Sequence, residues 1–63
     1  MNNITYQLAK SKFYDEICVT EYLNGTANNF WSLDDLNSLQ YCNVESFRNT
    51  RDWLMRNHPE LLI

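Results

Sequence analysis

A chain of 63 residues with a formal net charge of −3 is one domain at most, and the charge weighs against non-specific nucleic-acid binding, which needs cations for phosphates. Hydrophobic residues at 44% and aromatics at 14% exclude intrinsic disorder, which goes with a scarcity of both. One Gly and one Pro leave few chain breakers, which favours a few helices over many short strands.

The first segment runs from about Asn3 to Leu23. Ile4 and Leu8 lie four apart, as do Phe13 and Ile17, and Tyr14, Cys18 and Tyr22. Helix neighbours lie three and four apart, so this spacing predicts a helix over 4–23. The alternative is that "ICVTEYL" is a strand entering a hairpin turn at Asn24-Gly25. "TANNFW" beyond the turn alternates poorly, so Asn24-Gly25 is read as a helix stop, with Gly25 in the left-handed region.

Ser32 begins the second helix. Its hydroxyl can accept from first-turn N–H groups, and Asp34 and Asp35 suit the positive end of the helix dipole. Trp31 and Leu36 have the spacing of a hydrophobic staple. Leu33, Leu36 and Leu39 continue the inner face, giving a helix over 32–41. A corner follows. Asn43 is expected to cap a third helix over 44–57, and Cys42 with Phe47 repeats the staple spacing. Val44, Phe47 and Leu54 form its inner stripe, bordered by Trp53. His58 precedes Pro59, which ends the helix near Asn57. "PELLI" either folds back on the core or is presented to a partner. The expectation is an all-α domain spanning 1–63, with Leu36, Leu39, Cys42, Phe47 and Leu54 in its core. Trp31, Trp53 and Phe30 are expected to be mainly core as well.

Catalytic machinery is not visible. His58 is the only histidine, and its place at a helix end suits a cap. Cys18, Cys42 and His58 are too few and scattered for a zinc site of four ligands. A single Gly cannot build a phosphate loop. Asp34-Asp35 is explained by the helix start without a metal. The reading is therefore no enzyme, no cofactor, no metal and no small-molecule substrate. "MNNITYQLAK" lacks the basic start and apolar stretch of a secretory signal. Cys18 and Cys42 are then reduced, buried hydrophobes, and "NIT" and "NGT" are chance glycosylation matches. No apolar run is long enough to span a membrane. A cytoplasmic location follows, in the host if a phage encodes the chain.

Charge is uneven. Residues 1–35 hold Lys10 and Lys12 against Asp15, Glu16, Glu21, Asp34 and Asp35; the remainder balances Arg48, Arg51 and Arg56 against Glu45, Asp52 and Glu60. The arginines form either a solvated face, with Arg48 near Asp52 and Arg51 near Asp35, or a basic contact surface.

The stretch "DLNSLQYCNVESFRN", with Leu36, Leu39, Cys42 and Phe47 spaced inward, resembles the helix-turn-helix family over about residues 35–51. The resemblance places Asn43, Val44, Glu45, Arg48 and Asn49 at outward recognition positions, with Arg51 and Arg56 toward the DNA backbone. Arg and Asn suit guanine and adenine edges in the major groove. The chain departs from the pattern at Asn37 and Thr50, and at Tyr41 where a Gly is usual. Size, Asn richness and the lack of catalytic groups also resemble small early proteins of lambdoid phages, from the region between exonuclease and excisionase. The leading expectation is a non-enzymatic regulator that binds a host or viral protein, or itself as a homodimer. The alternative is a DNA-binding regulator reading sequence with its third helix.

Overall fold

Asn24 and Gly25 both have positive φ, 52° and 84°. Two such residues in succession make the tight hairpin turn whose twist matches that of paired strands. The turn therefore joins strands, in a computed structural model that describes residues 3–13 and 15–63. Strands β1 (Ile4–Lys10), β2 (Ile17–Leu23) and β3 (Thr26–Ser32) form one antiparallel sheet in the order β1-β2-β3. Helices α1 (Leu33–Asn37) and α2 (Glu45–Asn57) and a 3-10 turn over Pro59–Leu61 follow.

This overturns the all-α, three-helix expectation: the fold is α+β, with one main helix. The helix expected over 4–23 is two strands. A spacing of four is even, so it satisfies the two-residue period of a strand as well as the helical turn. Ile4, Tyr6 and Leu8 share a strand face, and so do Ile17, Val19 and Glu21. The expected stripe through Tyr14 lies partly outside the described residues; Cys18 and Tyr22 do share a face of β2.

The poor alternation of "TANNFW" has a local cause. The β2–β3 register shifts between Glu21 and Tyr22, so that Glu21 faces Asn29 while Tyr22 faces Ala27. Asn28 is the extra residue of a bulge. Glu21, only 5% exposed, holds it. Its carboxylate accepts from Asn28 Nδ2 at 3.0 Å, Asn29 Nδ2 at 3.3 Å and the Tyr6 hydroxyl at 3.4 Å. A buried carboxylate without a cation is tolerable because these donors satisfy it.

The helices cover one face of the sheet. Val19, Leu36, Phe47 and Leu54 make the core, ringed by Tyr6, Leu8, Trp31, Leu33, Tyr41, Trp53, Leu61 and Leu62. Phe47 meets Trp31 edge-on at 5.4 Å, and Tyr6 stacks on Trp53 at 5.4 Å. Tyr41, where a turn Gly was expected, packs on both Trp31 and Phe47. Thr50 is fully buried, its hydroxyl donating to the Ser46 carbonyl at 2.8 Å.

Ser32 caps α1 as expected, its Oγ accepting from the Asp35 N–H at 3.1 Å. The helix ends at Asn37, short of the expected 41, so the corner is not a helix-turn-helix. Ser38 turns extended, and its Oγ accepts from the Gln40 N–H at 3.1 Å, a local bond of the kind that competes with helix. Asn37 donates to Leu33 O and Leu61 O and accepts from the Ile63 N–H. It ties the tail back, so Leu61 and Leu62 join the core. Four residues expected to point inward are outside it: Leu39 is 71% exposed, and Phe30, Cys42 and Val44 are exposed as well. With α1 ended at Asn37, Leu39 rides no helical face, and Cys42 lies in the turn before α2. Asn43 does not cap α2 either; Val44 occupies the cap position, with no side-chain bond. The expected end at Asn57 holds, His58 donating its N–H to Leu54 O.

Candidate functional site

Residues directly opposite in an antiparallel pair share a face. On the face turned away from the helices the register sets Thr5 beside Tyr22, Gln7 beside Thr20 and Phe30, and Ala9 beside Cys18. No carboxylate belongs to this set. The Tyr22 hydroxyl donates to Gln7 Oε1 at 3.0 Å, which fixes the middle of the face. No described element packs over it.

At one end the face deepens into a groove of about 230 Å³, with Ala9, Cys18 and Thr20 on its floor. Phe30 from β3 and Phe13 from the β1–β2 loop flank it, 62% and 90% exposed. Phe30 was expected in the core. The bare face puts it in solvent instead, because its neighbours Asn29 and Trp31 take the covered side. Lys10 and Lys12 border the groove. Lys10 pairs with Asp15 at 2.7 Å; Lys12 has no ion pair among the described residues. Cys18 is buried, and its thiol pKa is raised by that burial, then by the nearby charges of Glu16 and Asp35. A neighbouring hollow is lined by Asp15, Glu16, Ile17, Leu33 and Asp34.

The residues singled out for contact lie elsewhere, and Arg48 and Arg51 share a hollow with Leu39, Cys42, Phe47, Asp52 and Met55. Arg48 Nη1 donates to Cys42 O at 3.1 Å, and Arg51 Nε donates to Leu36 O at 3.0 Å. The second bond satisfies a carbonyl of α1, which lacks a cation in its last turn. Arg56 pairs with Asp52 at 3.2 Å. The expected pairs Arg48–Asp52 and Arg51–Asp35 are replaced by these. Asn43 and Asn49 are exposed, and Glu45 and Asn49 border a shallow hollow with Ile4, Glu21 and Ser46.

Sequence reasoning passed over Phe13, Phe30, Cys18 and Thr20 as a set, and Glu21 as the residue that shapes β3. The signal that would have found them is the Asn-Gly pair: once it is a hairpin, strand register alone brings Cys18, Thr20 and Phe30 to one face. His58 stands against Trp53, ring centres 5.7 Å apart, and 3.6 Å from Glu60, away from either cysteine. Among the described residues no cluster of His, Cys, Asp or Glu is placed to hold a metal ion. No helix among the described residues is long and apolar enough to cross a membrane. Compared with protein-family models, curated proteins and solved structures, the chain matches none.

Proposed function

We propose that the chain is a non-enzymatic binding module, regulatory in role, whose bare sheet face docks a protein partner at the Phe13–Phe30 groove. The observation that carries this reading is a pair of exposed phenylalanines over a groove free of carboxylates, with Lys10 and Lys12 at its border and no described element packed on it. Aromatic side chains that surrender solvent on docking dominate binding energy at protein interfaces. The partner it fits presents an apolar side chain to the groove, with a carboxylate nearby for Lys12.

Charge favours a protein over nucleic acid. Neutralising phosphates takes several free cations. Here Arg56 and Lys10 are held by carboxylates, which among the described residues leaves only Arg48, Arg51 and Lys12 without one in a chain of net charge −3, the two arginines each giving a donor to a carbonyl. The carboxylates of the adjoining hollow oppose a phosphate backbone at the same end of the sheet.

A photo-crosslinking amino acid placed at position 13, 30 or 49 tests this in lysate of the native cell. The expected result is one protein adduct shared by positions 13 and 30, absent at 49, and lost when Phe30→Asp is combined with the probe at 13. The adduct should re-form with the purified partner. Adducts at 49 alone, or retardation of duplex DNA by the wild-type chain at physiological salt, would overturn the reading.

A further inference from the structure

We infer that β1 is a self-pairing edge, and that two copies of this chain join antiparallel through it into a continuous six-stranded sheet. The inference does not rest on the partner of the bare face. It starts from which backbone groups of β1 are already used. In an antiparallel ladder, hydrogen-bonded pairs alternate with pairs whose N–H and C=O point outward. The bonds Asn24 N–H to Asn3 O and Ser11 N–H to Glu16 O, each 2.8 Å, mark bonded pairs at the two ends of the β1–β2 register. Thr5, Gln7 and Ala9 therefore bond to β2. Ile4, Tyr6, Leu8 and Lys10 turn their amides and carbonyls to the open edge, where no described strand pairs with β1.

Proteins blunt such edges with proline, buried charge, bulges or a covering element. The other edge strand, β3, has the bulge at Asn28. Strand β1 has no proline, buried charge or bulge, and no described strand beyond it: its seven residues pair without interruption with β2, and its one charge, Lys10, is terminal.

The edge also complements itself. A two-fold axis through Gln7 brings the outward-pointing residues opposite one another, Tyr6 against Leu8 of the second copy and Ile4 against its Lys10. All four outward residues then bond through both N–H and C=O. On the helix side the pairs extend an apolar row in which Tyr6 and Leu8 are half-buried, Ile4 is exposed and Trp53 stacks on Tyr6. On the bare side Thr5 meets Ala9 and Gln7 meets Gln7. Like charges do not meet along the strand, and β1 contains no carboxylate. A foreign peptide would have to match this pattern, whereas a second copy supplies it. The gain suits a chain of 63 residues, a size at which oligomerisation commonly supplements a small core.

Sedimentation equilibrium with amide hydrogen exchange on the intact chain tests this. Wild type is expected to dimerise at micromolar to millimolar concentration, with the Tyr6 and Leu8 amides gaining protection as the dimer forms. The Thr5, Gln7 and Ala9 amides should be protected at every concentration. Gln7→Glu sets carboxylates opposite each other at the axis and should weaken dimerisation at least about tenfold, a loss of about 1.4 kcal/mol. Ile4→Pro removes an outward donor without touching the β1–β2 bonds and should weaken it too; circular dichroism reports whether each variant keeps its fold. A wild type that stays monomeric at millimolar concentration overturns the inference. So does a dimer in which Tyr6 and Leu8 exchange freely, or one that a folded Gln7→Glu variant leaves unchanged.

Discussion

The two faces of the sheet are made by the same three strands, yet they do different work. On the covered face Val19 is fully buried beneath Leu36, Phe47 and Leu54, and Glu21 is buried with three donors. On the bare face Thr20 and Tyr22 lie between exposed neighbours, and Phe30 stands in solvent. The difference teaches that hydrophobic content alone does not locate a core. Phe47 and Phe30 are the same residue type; what separates them is which side of the sheet α2 occupies. An antiparallel sheet with one solvated face is common, but that face usually reads as polar. Here it carries aromatics, which is why it is a candidate for contact.

Substitutions can break this comparison. The largest effect is expected on the covered face. Leu54→Ala removes a fully buried side chain and should cost about 2–5 kcal/mol, enough to abolish cooperative thermal unfolding in so small a domain. Glu21→Ala comes next. It leaves Asn28, Asn29 and Tyr6 without their acceptor and should cost about 1–3 kcal/mol, with the amide shifts of β3 moving most. Gly25→Ala should cost about 1–2 kcal/mol, because L-residues are disfavoured at positive φ. No atom lies near the added methyl, so the whole effect is backbone conformation, readable from the denaturation midpoint.

A pH effect belongs to the covered face as well. Burial, followed by the charge and hydrogen bond of Glu21, raises the Tyr6 phenol pKa in the fold. The folded state then holds this proton more tightly than the unfolded state. Stability from this group is full below the ordinary phenol value of about 10 and is lost as pH rises through the higher folded value. Alkaline unfolding curves should be shallower in Tyr6→Phe. The smallest effect is expected on the bare face: Phe30→Asp should change stability by no more than about 0.5 kcal/mol. A larger loss would mean that this face is part of the folding core and would weaken its claim as a docking surface.

Legibility followed the locality of each interaction. The Ser32 cap, the end of α2 before Pro59 and the burial of Leu36, Phe47 and Leu54 could be read directly, because each depends on a few residues along the chain. The strands could not. Ile4 with Leu8 and Phe13 with Ile17 fit either period, and the bulge at Asn28 blurred the alternation that would have decided between them. The arginines misled for a different reason. Arg48 and Arg51 look free in sequence, but their acceptors are carbonyls of Cys42 and Leu36, six and fifteen residues away, and sequence does not announce a carbonyl left without a partner. The same holds for Leu39, whose expected burial needed a helix that stops at Asn37, and for Cys42, whose staple to Phe47 needed a cap at Asn43 that Val44 takes instead.

The sequence by itself determined the positive φ of Gly25, the Ser32 cap, the end of α2 before Pro59 and the inward Phe47 and Leu54, since capping and helical spacing are local properties. Tertiary structure decided the rest. Pairing β1 with β2 and β2 with β3 fixed which side chains share a face, and seating α2 on one side turned one face into core. The other side was left with Phe13 and Phe30 in solvent. Those outcomes depend on contacts between distant segments, where one residue's burial is set by the placement of another.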